Sequence, residues 1–150
     1  MTNLSSETLH ATSIAIGEQS VLICGRSGSG KSDLALRLID RGAVLVSDDY
    51  TIVQNQSGVL FASSPANIRG KIEVYGIGII EIDSIQNVPV ALIVTLDEPI
   101  IRMPDNVASR MIAGIALPIV SVSPYETSAP MKVEIALKSW QNQQGKNNAQ

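Results

Sequence analysis

The segment Gly25-Arg26-Ser27-Gly28-Ser29-Gly30-Lys31-Ser32 constrains this chain more than any other, because it satisfies G-x-x-x-x-G-K-S. Such a loop works only between a strand and a helix. Its glycines let the backbone wrap a phosphate, and the loop amides with the following helix N-terminus supply preorganised positive potential. Lys31 can then reach the β- and γ-phosphates, and the Ser32 hydroxyl can ligate Mg²⁺. The surroundings meet the requirement: the apolar run Val21-Leu22-Ile23-Cys24 precedes the loop, and Leu34, Ala35, Leu38 and Ile39 come after it at helical spacing. Gly42 is a suitable stop for a helix of about ten residues. A chance glycine-rich turn would not need that context. Residues 25–32, with Gly25, Arg26, Ser27, Gly28, Ser29, Gly30, Lys31 and Ser32 all contributing, are therefore expected to hold the phosphates of a nucleoside triphosphate.

The rest of the chain reads as one α/β domain with a mixed β-sheet and few helices. Residues 13–16 and 20–24 are short apolar runs on either side of Gly17, as in two strands joined by a tight turn. Residues 43–46 read as a buried strand ending in Ser47-Asp48-Asp49, where a strand of an α/β sheet opens onto its ligand crevice. Residues 50–53 and 59–62 flank an Asn-Gln-Ser-Gly turn, and 71–75, 78–82 and 88–96 have strand-like content. Pro104, Pro118 and Pro124 interrupt the chain beyond residue 96. Ser128 can cap a last helix with Pro130 in its first turn and Val133, Ala136, Leu137 and Trp140 on one face. Since βαβ alternation is visible only around the loop, the expectation is a single P-loop catalytic domain over 1–140. A polar tail over 141–150, rich in Asn and Gln, is expected to fray.

With 150 residues and 45% apolar content, the chain can bury a core without disulfides or structural metal. Its single cysteine, Cys24, sits in an apolar run and fits a reducing, cytoplasmic setting. No apolar stretch approaches the roughly 18–20 residues that cross a bilayer, and the N-terminus lacks the regions of a signal peptide. A net charge of −3 speaks against nonspecific nucleic-acid binding and points to a protein or small-anion partner.

Phosphate binding alone does not choose between an ATPase, a GTPase and a kinase, so acidic residues must decide. Asp48 and Asp49 are the candidates, to orient Mg²⁺ or to accept a proton from an attacking hydroxyl. Without the upstream loop the pair would read as a turn. On residue chemistry alone, His10 is a strand-end histidine, Glu73 a solvent-facing strand carboxylate, Arg102 a turn residue, and Lys132 and Lys138 the polar face of the last helix. No Asn-Lys-x-Asp guanine-reading segment is present.

Taken in order, these residues resemble the catalytic domain of the HPr kinase/phosphorylase family, in its compact form with only the C-terminal catalytic domain. The likeness runs from His10 to about Leu137. It is carried by His10, by the loop, by Arg41-Gly42-Ala43-Val44-Leu45-Val46-Ser47-Asp48-Asp49, and by Glu73-Val74-Tyr75-Gly76-Ile77-Gly78-Ile79-Ile80. The resemblance implies a cytoplasmic serine kinase, possessing phosphorylase activity in reverse, that uses ATP and Mg²⁺ on an HPr-like phosphocarrier and so regulates a phosphotransferase system. It also implies a homo-oligomer. Asp48 would take and return the serine proton, with His10, Lys31 and Arg102 completing the catalytic set and Ser32 and Glu73 at the magnesium positions. The family usually has Glu-Ile-Arg-Gly where this chain has Glu73-Val74-Tyr75-Gly76, so one cationic group is missing there; Arg69 lies just upstream. A nucleotide-binding regulatory module, or a simple ATPase without a protein acceptor, is the alternative.

Overall fold

The computed structural model describes residues 6–104 and 106–148, with side chains described through residue 139. In chain order the elements are β1 (Ser6–Leu9), β2 (Ala11–Ile16), β3 (Gln19–Cys24), α1 (Lys31–Asp40), β4 (Val44–Ser47), β5 (Thr51–Gln56) and β6 (Val59–Ser63). After a short 3₁₀ turn at Ala66–Ile68 come β7 (Lys71–Val74), β8 (Gly78–Glu81), β9 (Val88–Thr95), β10 (Ala108–Ile112), β11 (Ile115–Ser121) and α2 (Ala129–Asn148). A nine-stranded mixed sheet runs β1-β5-β6-β9-β3-β2-β4, with β11 joining β9 and β10 pairing β11; β7 and β8 form a separate hairpin.

The central strand explains why the sequence around the loop reads as a continuous apolar run. Val21 and Ile23 of β3 point into a core with Leu34 and Leu38 of α1, and with Val133 and Leu137 of α2. Leu22 points the other way, into a second core with Val53, Leu60 and Leu117. Leu92 and Val94 of β9 divide from Ile93 in the same manner. Both faces of the central strands are therefore covered, by helices on one side and by the outer strands on the other. Removing a fully buried leucine such as Leu38 from this arrangement costs about 2–5 kcal/mol.

Helix α1 starts and stops where its sequence demands. Gly30, at φ 101°, takes the left-handed turn that leads out of the loop, and its carbonyl accepts the amide of Leu34 at 3.0 Å. At the other end Ala43 N donates to Leu38 O and Gly42 N to Ile39 O, both at 3.0 Å, with Gly42 at φ 112°. These are the two bonds of a Schellman stop.

The pairing register gathers the functional loops. β3 and β9 are parallel with Cys24 opposite Thr95, and β11 is parallel to β9 with Ser121 opposite Thr95. The segments after β3, β9 and β11 thus emerge side by side, at the carboxyl ends where α/β sheets bind ligands. β2 runs antiparallel to β3, with Ala11 opposite Cys24, and β4 is antiparallel to β2 with Ser47 opposite Ser13. The start of β2 and the end of β4 therefore lie at the same end of the sheet.

Three features depart from the sequence-based expectation. The region beyond 96, read as interrupted by prolines, contains the β10–β11 hairpin, and Pro118 lies within β11. Pairing of β11 with β9 begins only at Ile119, so the missing Pro118 donor breaks no ladder on that side. The turn between β10 and β11 uses Ala113 and Gly114 at φ 49° and 82° rather than an Asn-Gly pair. β1 was not expected, because Ser6–Leu9 is an exposed edge strand without an apolar face, fixed by its register with β5. The last helix packs through Val133 and Leu137 as its spacing predicts. The contact expected of Trp140 and the tail expected over 141–150 fall on residues whose side chains lie outside the described set.

Candidate active site

The loop between β3 and α1 closes tightly on itself. A methyl group added at Gly25 would run into the Ser29 hydroxyl, so any larger residue there must displace that side chain. Ser29 Oγ is buried and has no hydrogen-bond partner among the described residues. A buried hydroxyl inside a phosphate-type loop is a donor suited to a phosphate oxygen. Lys31 is buried to 5% exposure, and its Nζ donates to Gly25 O at 2.8 Å and Arg26 O at 3.0 Å. Two of its three donors hold the loop and one is left for an anion. Cys24, at the end of β3 below the loop, has its thiol pushed up by burial, which opposes thiolate chemistry there.

Asp48 is the hub of the site. It comes directly after β4, is 7% exposed, and accepts hydrogen bonds from Ser32 Oγ at 2.6 Å and Thr12 Oγ1 at 3.1 Å on Oδ1. Its Oδ2 accepts the backbone N–H of Glu73 at 2.9 Å. Four elements thus converge on one carboxylate: α1, β2, β4 and β7. A carboxylate offers about four acceptor positions, so Oδ1 is filled and Oδ2 keeps one open. Asp49, next in sequence, turns away at φ 68°; its N–H donates to Thr12 Oγ1 at 3.0 Å and its Oδ1 meets His10 Nε2 at 2.8 Å. The His10 ring stacks on Tyr50, with centroids 5.2 Å apart. His10, Lys31, Ser32 and Asp48 are therefore brought to one end of the sheet.

The remaining expected residues take different places. Glu73 is exposed on β7, anchored through its backbone to Asp48, while its neighbour Ile72 is buried against the core with α1. Arg102 lies on the exposed segment after β9 and makes no hydrogen bond or ion pair with any described residue, so nothing ties it to Asp48. Tyr75 stands at the tip of the β7–β8 hairpin, 98% exposed. Arg69, just upstream, donates one guanidinium N–H to Ser64 O at 3.2 Å. Among the described residues no group of three or more His, Cys, Asp and Glu side chains converges as a metal centre. Ser32 Oγ at the loop is a hard oxygen, of the kind Mg²⁺ takes together with substrate phosphates, while Glu73 reaches Asp48 through its backbone N–H alone.

Two contributors escaped the sequence reading. Thr12 bridges Asp48 and the Asp49 amide; the available signal was a hydroxyl two residues from Ile14, on the strand face that packs toward α1. Asp97 lies just past β9, and its Oδ2 accepts the loop amide of Arg26 at 2.7 Å. The signal there was an acidic residue just past the parallel neighbour of β3. Beside it an open cavity of about 450 Å³ is walled by residues 26–29, 96–100 and 122–125.

Comparison with known proteins agrees with this geometry. The model of the HPr Serine kinase C-terminal domain family matches residues 2–149. The HPr kinase/phosphorylase of Clostridium botulinum (strain Eklund 17B / Type B) is 44% identical over 80 residues, which is 53% of this chain and 26% of that protein. That of Clostridium kluyveri (strain NBRC 12016) is 46% identical over 83 residues, 55% of this chain and 27% of that protein. The match thus spans about a quarter of the length of these relatives. The solved structure of the Hpr(Ser) kinase/phosphatase from Coxiella burnetii aligns over 95% of both chains with a TM-score of 0.82 and 28% identity. The chain belongs to the HPr serine kinase C-terminal domain family.

Proposed function

We propose that this domain is an ATP-dependent protein-serine kinase whose acceptor is an HPr-like phosphocarrier, with phosphorolysis of the phosphoserine as the reverse reaction. The observation that carries the reading is the hydrogen bond from Ser32, the last residue of the loop, to Asp48 at 2.6 Å, which supports a carboxylate acting beside the bound phosphates. The loop amides and Lys31 would hold the triphosphate. The open position on Asp48 Oδ2 would take the proton of the carrier's serine hydroxyl as its oxygen bonds to the γ-phosphorus and the bond to the departing ADP oxygen breaks. In phosphorolysis, inorganic phosphate in the place of ADP bonds to the phosphorus of the phosphoserine, the bond to the serine oxygen breaks, Asp48 gives that oxygen its proton, and pyrophosphate is the product. Magnesium, when bound, neutralises phosphate charge; Ser32 and Glu73 are the residues proposed to hold it. His10 is proposed to steady Asp49 beside the base, and Arg102 to reach the phosphates from its exposed segment. Catalysis of this kind rests on positioning and charge rather than on covalent help from the protein.

A carrier must also find a surface outside the nucleotide pocket. Exposed Ile77 and Ile79 on the β7–β8 hairpin, next to Glu73, support a docking face there, and the same apolar side chains support self-association into a homo-oligomer. The net charge of −3 supports a protein rather than a nucleic-acid partner. No helix among the described residues is long and apolar enough to cross a membrane, and a cytoplasmic setting is part of the proposal. The exposed tyrosine in place of the family arginine favours one second reading, a nucleotide-binding module or simple ATPase. Incubating the protein with labelled ATP, Mg²⁺ and HPr-like carriers from the same source separates the two. Phosphoserine mapped on a carrier, formed only with enzyme and nucleotide present, is the expected result. Equal ATP consumption with and without every carrier, and no phosphoserine, would leave the ATPase; tight ATP binding with no turnover would leave the module.

A further inference from the structure

The strand order around the loop divides the end of the sheet into two flanks. β2 and β4 lie on one side of β3 and bring Thr12 and Asp48; β9 and β11 lie on the other. The parallel ladder between β3 and β9 runs on past Thr95, with Leu96 N donating to Cys24 O at 2.9 Å, and so delivers Asp97 beside the first residues of the loop. A carboxylate there works against an anion held by the same loop, because like charges repel. Its contacts give it a different use.

We infer that Asp97 is a positioning residue, which fixes the Lys31 ammonium by orienting the peptide group between Gly25 and Arg26. The inference rests on the proposed use of the loop for a triphosphate. Asp97 Oδ2 accepts the Arg26 N–H at 2.7 Å, and from the same peptide group Gly25 O accepts a bond from Lys31 Nζ at 2.8 Å. This peptide is trans, so its N–H and C=O point in opposite directions, and holding one aims the other. With the N–H turned to Asp97, the carbonyl is turned to Lys31. The next carbonyl, Arg26 O, accepts Lys31 Nζ at 3.0 Å and the Ser29 N–H at 3.1 Å. The peptide that Asp97 holds is therefore the first part of the frame in which Lys31 sits. The ion pair of Asp97 with Arg26 Nε, at 3.6 Å on an exposed side chain, adds little to this. Without an acceptor at Asp97 the 25–26 peptide is free to turn, and Lys31 loses one of its two fixed carbonyls. The cost of ordering the ammonium then falls on anion binding and weakens it.

Calorimetric titration of the wild type, Asp97→Ala and Asp97→Asn with inorganic tripolyphosphate and Mg²⁺ tests this, because charge and positioning predict opposite signs. The Asp97 side chain is 33% exposed, so neither change opens a cavity in the core. Asp97→Ala should weaken tripolyphosphate binding by about tenfold, the scale of one lost hydrogen bond to a charged group. Asp97→Asn keeps a side-chain oxygen for the Arg26 N–H and should stay within about threefold of the wild type. In a Lys31→Ala chain, Asp97→Ala should cost less than about twofold more, because its effect passes through Lys31. Repulsion alone would instead tighten binding in both Asp97 variants; that result, or unchanged affinity in Asp97→Ala, would overturn the inference. Equal losses in Asp97→Ala and Asp97→Asn, or the full loss repeated in the Lys31→Ala chain, would overturn it as well. If the wild type binds neither tripolyphosphate nor ATP, the triphosphate reading fails and takes this inference with it.

Discussion

The two flanks of the phosphate loop differ in kind. On the β2–β4 side the centre is polar, buried and hydrogen-bonded: Thr12, Ser32 and the Glu73 amide all donate to Asp48, which is 7% exposed. On the β9–β11 side the wall is open and mixed, Leu96, Ile100 and Pro124 standing beside Asp97, Glu98 and Ser123, with Tyr125 facing water. A buried carboxylate held by donors from three other elements has a fixed position, which proton transfer needs. An open wall keeps no such fixed geometry. The contrast teaches that one side of this loop is preorganised and the other is not, and that the shared element, residues 25–32, joins them.

Substitutions at the junction should hit both sides, and those on the polar flank only one. Lys31→Ala removes the charge that belongs to both, so transfer should be abolished and triphosphate binding weakened by about tenfold to a hundredfold. Filter binding together with a turnover assay would read this; normal values for both in a folded variant would break the loop assignment. Thr12→Val removes a buried hydroxyl that donates to Asp48 Oδ1 and accepts from Asp49 N–H. Turnover should fall by about tenfold and stability by about 1–3 kcal/mol, with ATP affinity unchanged. Thr12→Ser should restore turnover, since it keeps the hydroxyl; equal loss in both would mean that Thr12 acts through packing alone. The smallest effect belongs to Asp49→Asn, which weakens an exposed pair with His10 and should lower turnover by less than about fivefold. A larger loss at Asp49 than at Thr12 would shift the chemistry outward, from the buried carboxylate to the exposed one.

Local pattern made the loop and its neighbours legible before any fold was known. β3, the loop and α1 are specified by contiguous residues: an apolar run, glycines at 25, 28 and 30, and a helical repeat ending at Gly42. Asp48 was legible as a carboxylate at a strand end, and its place beside Ser32 results from β4 lying next to β2, which itself lies next to β3. The features that stayed hidden depend on pairing between distant segments. Pro118 masked β11, whose strand character comes from Ile119 opposite Ile93 and from the β10 hairpin. Ser6–Leu9 has no apolar period, and only its register with β5 makes it a strand. Thr12 and Asp97 look ordinary along the chain, because each acquires its role from a partner far away in sequence, Asp48 and the Arg26 amide respectively. Arg102 is the reverse case, assigned by resemblance and joined, among the described residues, by no hydrogen bond or ion pair to those around Asp48.

The central claim is that Asp48 acts as the base while the loop holds the triphosphate. Asp48→Asn keeps the shape and, with its one oxygen toward Glu73 N, leaves an NH₂ facing the Ser32 and Thr12 hydroxyls, which must turn to accept; the base is removed. Steady-state carrier phosphorylation and the ATP dissociation constant, measured on the same preparation of that variant and the wild type, test the claim most directly. The account predicts turnover lower by about 10² to 10⁴ with ATP affinity within about twofold. Equal turnover in the two proteins would contradict it and place the base elsewhere.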